Sequence, residues 1–331
     1  MTDYCLIRKN NIKQQRIIWV DWMKVLGMYF IIAGHFFPTG YTYIYIFSVP
    51  LFFFLSGFLN KKEDNRFTFW RKILYNYLLP LFLIRTIMYL WEWLTYSDTF
   101  LSIFQYWSFM FKGYQNCNGT CWFIYTLILL RIIFQYIPKK LHILLFVTFT
   151  ITAIWLNSQN IHKNNAIINL TVAYQPFFLG YILQRYKRLI TSYKPSTRIL
   201  FYMFTYGLIS VGICGRINGN VWLYSNGYGN YFLIYLWGII NGTILIYSIS
   251  MLLNNLCQYA KQVILTLSIG NIVTLGFHPI FISLCNRHQV HNLFFDYLLA
   301  FIILVLFYPI IVLCQYYCPL ILGIYKRTQR K

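Results

Sequence analysis

Three side chains within residues 16–38, RIIWVDWMKVLGMYFIIAGHFFP, can carry proton or anion chemistry: Asp21, Lys24 and His35. At about 100° per residue they fall within one narrow stripe of a helix. Lys24 and His35 are eleven residues apart, which sets one roughly 16 Å above the other at 1.5 Å rise per residue. An ammonium can hold an anion, and an imidazole that titrates near neutrality in water can move a proton. Ionisable groups are costly inside lipid and face a bundle interior or a water-filled cavity, so the stripe reads as a polar shaft entering a membrane. A plainer arrangement fits the same residues: Asp21 and Lys24 pair at the interface, and His35 bonds to a neighbouring helix. Both readings stand on these residues alone.

Five further side chains join the candidates. Ser56 lies in Ser48-Val49-Pro50-Leu51-Phe52-Phe53-Phe54-Leu55-Ser56-Gly57-Phe58, where Pro50 is expected to kink a helix. Gly57 fits close helix packing, and Ser56 fits either packing or a ligand hydrogen bond. Arg71 and Lys72 close a basic turn that begins at Lys61. With Lys24 at the same depth they would form a phosphate-binding rim, although basic residues there also serve as plain topological signals. Trp122 opens a later apolar span, and His278 directly precedes Pro279 in mid-span. That position sets His278 beside freed carbonyls, as a structural group or as a second cavity-lining residue. Arg85 and Glu92, seven residues apart, read as an ion pair.

The elements that must position these groups are membrane helices. Apolar residues make up 59% of the 331 residues and charged residues 11%, against about a quarter charged in a soluble domain. The long apolar runs fit helices and not the short alternating segments of a barrel. The expected fold is an all-α integral membrane bundle of about ten spans, near residues 17–37, 44–59, 73–96, 121–137, 141–157, 166–184, 199–214, 229–253, 263–285 and 293–317. A cytoplasmic tail (1–16), a transmembrane domain (17–317) and a basic cytoplasmic tail (318–331) follow from this division. No cleavable signal peptide is expected before the first span.

Charge sets the orientation. With the N-terminus inside, four basic residues fall in 8–16, five in 61–72, two at 139–140, five in 185–198, one at Lys261 and four in 326–331. That places 21 of 28 basic residues on one side, four on the other and three within spans. The asymmetry follows the positive-inside rule and puts both termini in the cytoplasm. The net charge of +21 is therefore topological and calls for no nucleic-acid partner. The eight cysteines show no metal spacing. Cys117 and Cys121 both fall on the outer side, where a disulfide can persist, and the sequon Asn118-Gly119-Thr120 reads as a chance match.

With these pieces in order, the chain resembles acyltransferase family 3, the bacterial integral-membrane O-acyltransferases that include the fucose-acetylase-like branch. The likeness rests on Asp21, Lys24 and His35, on Pro50 to Phe58, and on Arg71, Lys72 and Leu78 to Pro80. Trp122-Phe123, Phe178-Leu179-Gly180 and Gly270-Asn271 through His278-Pro279 fit later landmarks. Lys24 stands where many members carry Arg, and Asn76 and Tyr77 stand where paired arginines are frequent. No appended periplasmic hydrolase-like domain is expected.

The resemblance implies transfer of an acyl group, usually acetyl from acetyl-CoA, to a hydroxyl of a cell-surface polysaccharide or its lipid-linked precursor at the bacterial inner membrane. It implies no permanently bound cofactor. His35, assisted by Asp21, would be the catalytic pair, as general base or as acyl carrier. Lys24, Arg71 and Lys72 would bind the CoA phosphates, and Ser56, Trp122 and His278 would meet substrate. The alternative is a proton-coupled transporter or flippase for a glycan-related substrate, since intramembrane Asp, Lys and His also suit a proton relay. The matching broken helices of two related halves, frequent in such carriers, are not evident.

Overall fold

The computed structural model of the chain describes residues 16–36, 40–95, 104–105, 122–162, 165–256, 260–286 and 292–324. The structure is 86% helical with no strand among the described residues. The helices are α1 (Ile18–His35), α2 (Tyr41–Tyr45), α3 (Ser48–Phe58), α4 (Arg66–Ile73), α5 (Leu79–Thr95), α6 (Trp122–Tyr136), α7 (His142–Ser158), α8 (Ala166–Leu183), α9 (Lys187–Ser192), α10 (Thr197–Asn218), α11 (Phe232–Leu256), α12 (Lys261–Ile269), α13 (Asn271–Asn286) and α14 (Leu293–Tyr317). A π-helical turn, Leu74–Leu78, joins α4 to α5.

Among the described residues seven helices are long and apolar enough to cross a membrane, or eight if the bent pair α12–α13 counts as one span. Of the ten expected spans, α1 and α6 are not among these: α1 carries Asp21, Lys24 and His35, and α6 has 15 residues. Outward-facing Ile143, Leu144, Val147, Ile151, Ile154 and Trp155 on α7 are exposed, which suits a helix that meets lipid and not water.

α1 is the central element. Its buried residues, among them Val20, Trp22, Met23, Val25, Met28 and Ile31–Gly34, lie all round the helix, the pattern of a helix enclosed on every side. It packs against α3, α11, α12, α13 and α14. Val20 and Met23 belong to a core built with α3, α6, α8, α10 and α11. Trp22, Val25, Met28, Ile31 and Ile32 belong to a second core with α4, α5, α12, α13 and α14. α1 therefore contributes to both cores.

Two features depart from straight helices. Gly57 on α3 and Gly180 on α8 meet so closely that a methyl group at either would lie on the other helix's backbone carbonyl, at Phe177 and Phe54 respectively. Small residues permit such an approach inside a membrane bundle. The span read at 263–285 is broken at Gly270, where α12 and α13 meet at 80°. Helical pairing is lost at such a break, and the freed backbone is tolerated where it is buried in protein or lines a cavity.

Candidate active site

A cavity of about 780 Å³ runs along α1. Lys24, Met28, Ile31 and His35 line it at steps of four, three and four residues, one face of the helix. Val49, Phe52 and Ser56 of α3 face it at the same helical spacing, and Trp122, Phe123, Ile124 and Leu127 come from α6. The break supplies Ser268, Ile269, Asn271 and Ile272, and α13 adds Leu275, Pro279, Ile282 and Ser283. Apolar walls with a few convergent polar groups suit a ligand with a long apolar or neutral body.

Among the described residues, Lys24 is the only Lys or Arg that lines the cavity. Its backbone carbonyl accepts from Asn271 Nδ2 at 3.5 Å, so the break abuts α1 at the level of this cation. Asp21, one turn earlier, is 3% exposed and does not line the cavity. Arg16 grips it bidentately, Nε to Oδ2 at 2.8 Å and an Nη to Oδ1 at 2.9 Å. Ser268 Oγ also donates to Oδ1 at 2.6 Å. Both carboxylate oxygens are thus engaged, and the ion pair expected between Asp21 and Lys24 is made instead by Arg16. Asp21 lies away from His35 and fastens the broken helix to α1, which differs from the catalytic pairing of the sequence reading.

Arg71 and Lys72 do not line the cavity. Both are exposed at the end of α4; Lys72 Nζ pairs with Glu63 at 2.6 Å, and the Arg71 guanidinium lies 5.9 Å from the centre of the Phe67 ring. Asn76 and Tyr77 occupy the wall instead. Both lie in the π-helical turn Leu74–Leu78. Of the three-residue rim of the sequence reading, Lys24 alone among the three lines this cavity.

Ser56 lines the cavity while its hydroxyl donates to the Phe52 carbonyl at 2.7 Å, leaving its lone pairs as acceptors. Trp122 is buried on the wall. His278 lies elsewhere than expected. It is wholly buried and does not line the cavity; its ring sits behind His35, with centroids 5.0 Å apart. Of the predicted residues, Lys24, His35, Ser56 and Trp122 share the wall, whereas Asp21, Arg71, Lys72 and His278 do not. Cys117, Cys121 and the sequon at Asn118 lie outside the described residues.

The sequence reading passed over the segment from Gly219 to Tyr231, which contributes Val221, Trp222, Leu223 and Tyr224 to the cavity. Trp222 and Gly227 exchange backbone hydrogen bonds at 2.8 and 3.0 Å, closing a tight turn in which Asn226 has φ of 64°. Asn218 clamps the turn's base, donating to the Tyr228 carbonyl at 2.6 Å and accepting from Tyr231 N–H at 2.8 Å. Asn169 of α8 donates to the Tyr224 carbonyl at 3.1 Å, and Thr171 donates to the Asn226 side chain. These buried amides press an aromatic wall onto the cavity end that holds His35. Trp222 meets Tyr45 at a 44° tilt with ring centroids 5.4 Å apart, and Tyr45 meets His35 at 6.4 Å between ring centroids. The available signal was the run of Asn, Gly and aromatic residues from Asn218 to Tyr231, which marks a turn in a wet, aromatic setting.

A search of curated proteins and a search of solved structures each returned no match. The sequence model of the acyltransferase family 3 domain, described as "Acyltransferase domain", matches residues 17–318. That match begins at the head of α1 and ends just past α14, so it takes in every α-helix on the cavity wall, and the chain belongs to acyltransferase family 3.

Proposed function

We propose that this membrane acyltransferase moves an acyl group, in the simplest case acetyl, from acyl-CoA to a hydroxyl of a cell-surface polysaccharide or its lipid-linked precursor. In this reading it acts in the bacterial inner membrane with both termini in the cytoplasm, where CoA esters are made; the basic-residue asymmetry supports that orientation. The observation that carries the proposal is one cavity with a cation, Lys24, towards one end of α1 and an imidazole, His35, at the other.

A CoA phosphate pairs with Lys24, and the neutral pantetheine arm follows the apolar stripe of Met28 and Ile31 towards His35. Trp222, Tyr224 and Tyr45 offer aromatic faces to the sugar, which has apolar C–H surfaces as well as hydroxyls. His35 takes the proton of the acceptor hydroxyl as that oxygen attacks the thioester carbonyl. The C–S bond breaks, the ester forms, and the imidazolium returns its proton to the CoA thiolate. In the covalent variant His35 attacks the carbonyl itself, its ring proton passes to the departing thiolate, and the acceptor hydroxyl then takes the acyl group from the imidazole. Arg71 and Lys72, off the wall, serve as exposed charges at the cytoplasmic surface.

The test is release of free CoA thiol from acetyl-CoA by purified protein, with and without a polysaccharide acceptor. Thiol release stimulated by the acceptor, with acetyl ester recovered on it, is the expected result. Folded protein that binds acetyl-CoA without releasing thiol under any acceptor condition would overturn the proposal.

A further inference from the structure

His278 has no exposed surface and stands immediately before Pro279 in α13. Its Nδ1 lies 3.0 Å from the Thr274 carbonyl oxygen. A carbonyl only accepts, so Nδ1 carries the proton. Pro279 brings no N–H to the Leu275 carbonyl one turn back, and Leu275 adds a second backbone contact to the ring. The tautomer is fixed by these carbonyls, and Nε2 is left as a bare lone pair. That Nε2 is buried and has no hydrogen-bond partner, an uncommon condition for a polar atom in a folded core.

The ring facing it is His35, 5.0 Å away between centroids and tilted by 45°. His35 borders the cavity and His278 does not. Among the described residues no hydrogen bond orients the His35 ring, which carries the proposed chemistry. An unsatisfied acceptor behind it is the feature that would set its direction.

We propose that His278 is a positioning residue for His35: its Nε2 accepts the ring N–H of His35 and turns the other His35 nitrogen, as a lone pair, towards the cavity. No covalent bond changes in this contact, and the proton stays on His35. When His35 takes up a proton from the acceptor, the imidazolium keeps its N–H bond to His278, so the new charge forms beside a lone pair. The inference rests on the reading of His35 as the reacting group, and it replaces direct contact between His278 and substrate.

The test uses diethyl pyrocarbonate, which acylates unprotonated imidazole nitrogen, on the purified full chain without substrate. Modification of His35 is followed by peptide mass spectrometry, with exposed His162 as the internal rate reference. His278→Gln keeps an acceptor oxygen near the place of Nε2; His278→Leu keeps the bulk and removes the acceptor. His35 in His278→Leu is expected to react roughly tenfold or more slowly than in wild type, the weight of one hydrogen bond to a developing charge, with His278→Gln restoring the rate. Where His278→Leu fails to elute as a folded monodisperse species, His278→Asn, too short to reach His35, takes its place. In the thiol-release assay the acceptor-less variant lowers kcat and leaves KM for acetyl-CoA unchanged, again with rescue by Gln. An unchanged or faster His35 rate in folded His278→Leu or His278→Asn overturns the proposal, because loosened packing alone would speed access of the reagent. Carbethoxylation needs no acyl donor, so a wild-type protein that releases no thiol would sink the acyl-transfer reading while the His278 result stood separately.

Discussion

Ser268 donates a 2.6 Å hydrogen bond to the Asp21 carboxylate, and through it the break between α12 and α13 is fastened to α1. The same carboxylate holds Arg16 bidentately. Near this tie, Asn271 reaches the Lys24 carbonyl.

Asp21→Asn is expected to lose stability before it loses chemistry. Hydrogen bonds to a charged group are worth about 1.5–3 kcal/mol; Arg16 is one-third exposed, which puts the loss at the lower end of that range. The thermal midpoint in detergent should fall, and transfer per folded molecule should drop less than for any change at His35. A variant as stable as wild type but inactive would make Asp21 a catalytic group.

The crossing of α3 and α8 makes a second stability prediction. Gly57→Ala and Gly180→Ala each force two backbones apart, and overpacking of this kind costs about 1–3 kcal/mol or more. Gly212, with nothing within 4 Å of an added methyl group, is the control: Gly212→Ala in mid-helix should be neutral or stabilising by about 0.5–1 kcal/mol. Unfolding midpoints of the three variants in one detergent check this, and equal behaviour would remove the close crossing.

The placement of Lys24 and His35 on one face could be drawn from the sequence because a regular α-helix has a fixed period and both lie in its unbroken part. Arg71 and Lys72 were grouped with Lys24 by depth alone, and depth does not say which side chains turn towards a cavity; Asn76 and Tyr77 of the π-helical turn Leu74–Leu78 line it. His278 before Pro279 was visible as an oddity, but which ring it faces depends on the 80° break at Gly270, a tertiary property. The aromatic turn around Trp222 resembles the interfacial belt of any membrane protein. Only the buried amides of Asn169 and Asn218, distant in sequence, show that it is pressed inward.

Donor binding should depend on Lys24 far more than on the surface cations. Removing a charge-assisted contact worth about 1.5–3 kcal/mol weakens binding roughly 10- to 150-fold, so Lys24→Ala should raise the CoA dissociation constant by that factor. Lys24→Arg keeps the charge and should be the mildest change. Arg71→Ala and Lys72→Ala, off the wall, should shift it less than about threefold, as for screened surface charges. Calorimetry or a fluorescent CoA probe can rank the four, and Arg71→Ala weakening binding as much as Lys24→Ala would restore the wider rim.

The aromatic turn should govern the acceptor and not the donor. Trp222→Ala removes a ring that packs at a tilt against Tyr45, and loss of one aromatic partner costs about 0.5–1.5 kcal/mol. KM for the glycan should rise several-fold while affinity for CoA is unchanged. Asn218→Ala, which unclamps the turn, should act in the same direction. A change confined to donor affinity would assign the turn to the CoA side.

The sharpest prediction concerns His35. It is the imidazole on the cavity wall, three helical turns from Lys24 and backed by the unpartnered Nε2 of His278. Loss of general-base help removes roughly 10²–10⁴-fold in rate, and loss of an acyl carrier removes transfer altogether. His35→Ala should therefore abolish measurable transfer while the protein still inserts, folds and binds CoA with wild-type affinity. If His35 only packs between Tyr45 and His278, a different pattern follows: His35→Ala would lower expression or thermal stability, and the folded fraction would keep its specific activity. Transfer per folded molecule, with CoA affinity measured on the same sample, separates the two. Near-normal turnover in His35→Ala would remove the histidine from the mechanism and leave the family assignment, which rests on residues 17–318 as a whole, in place.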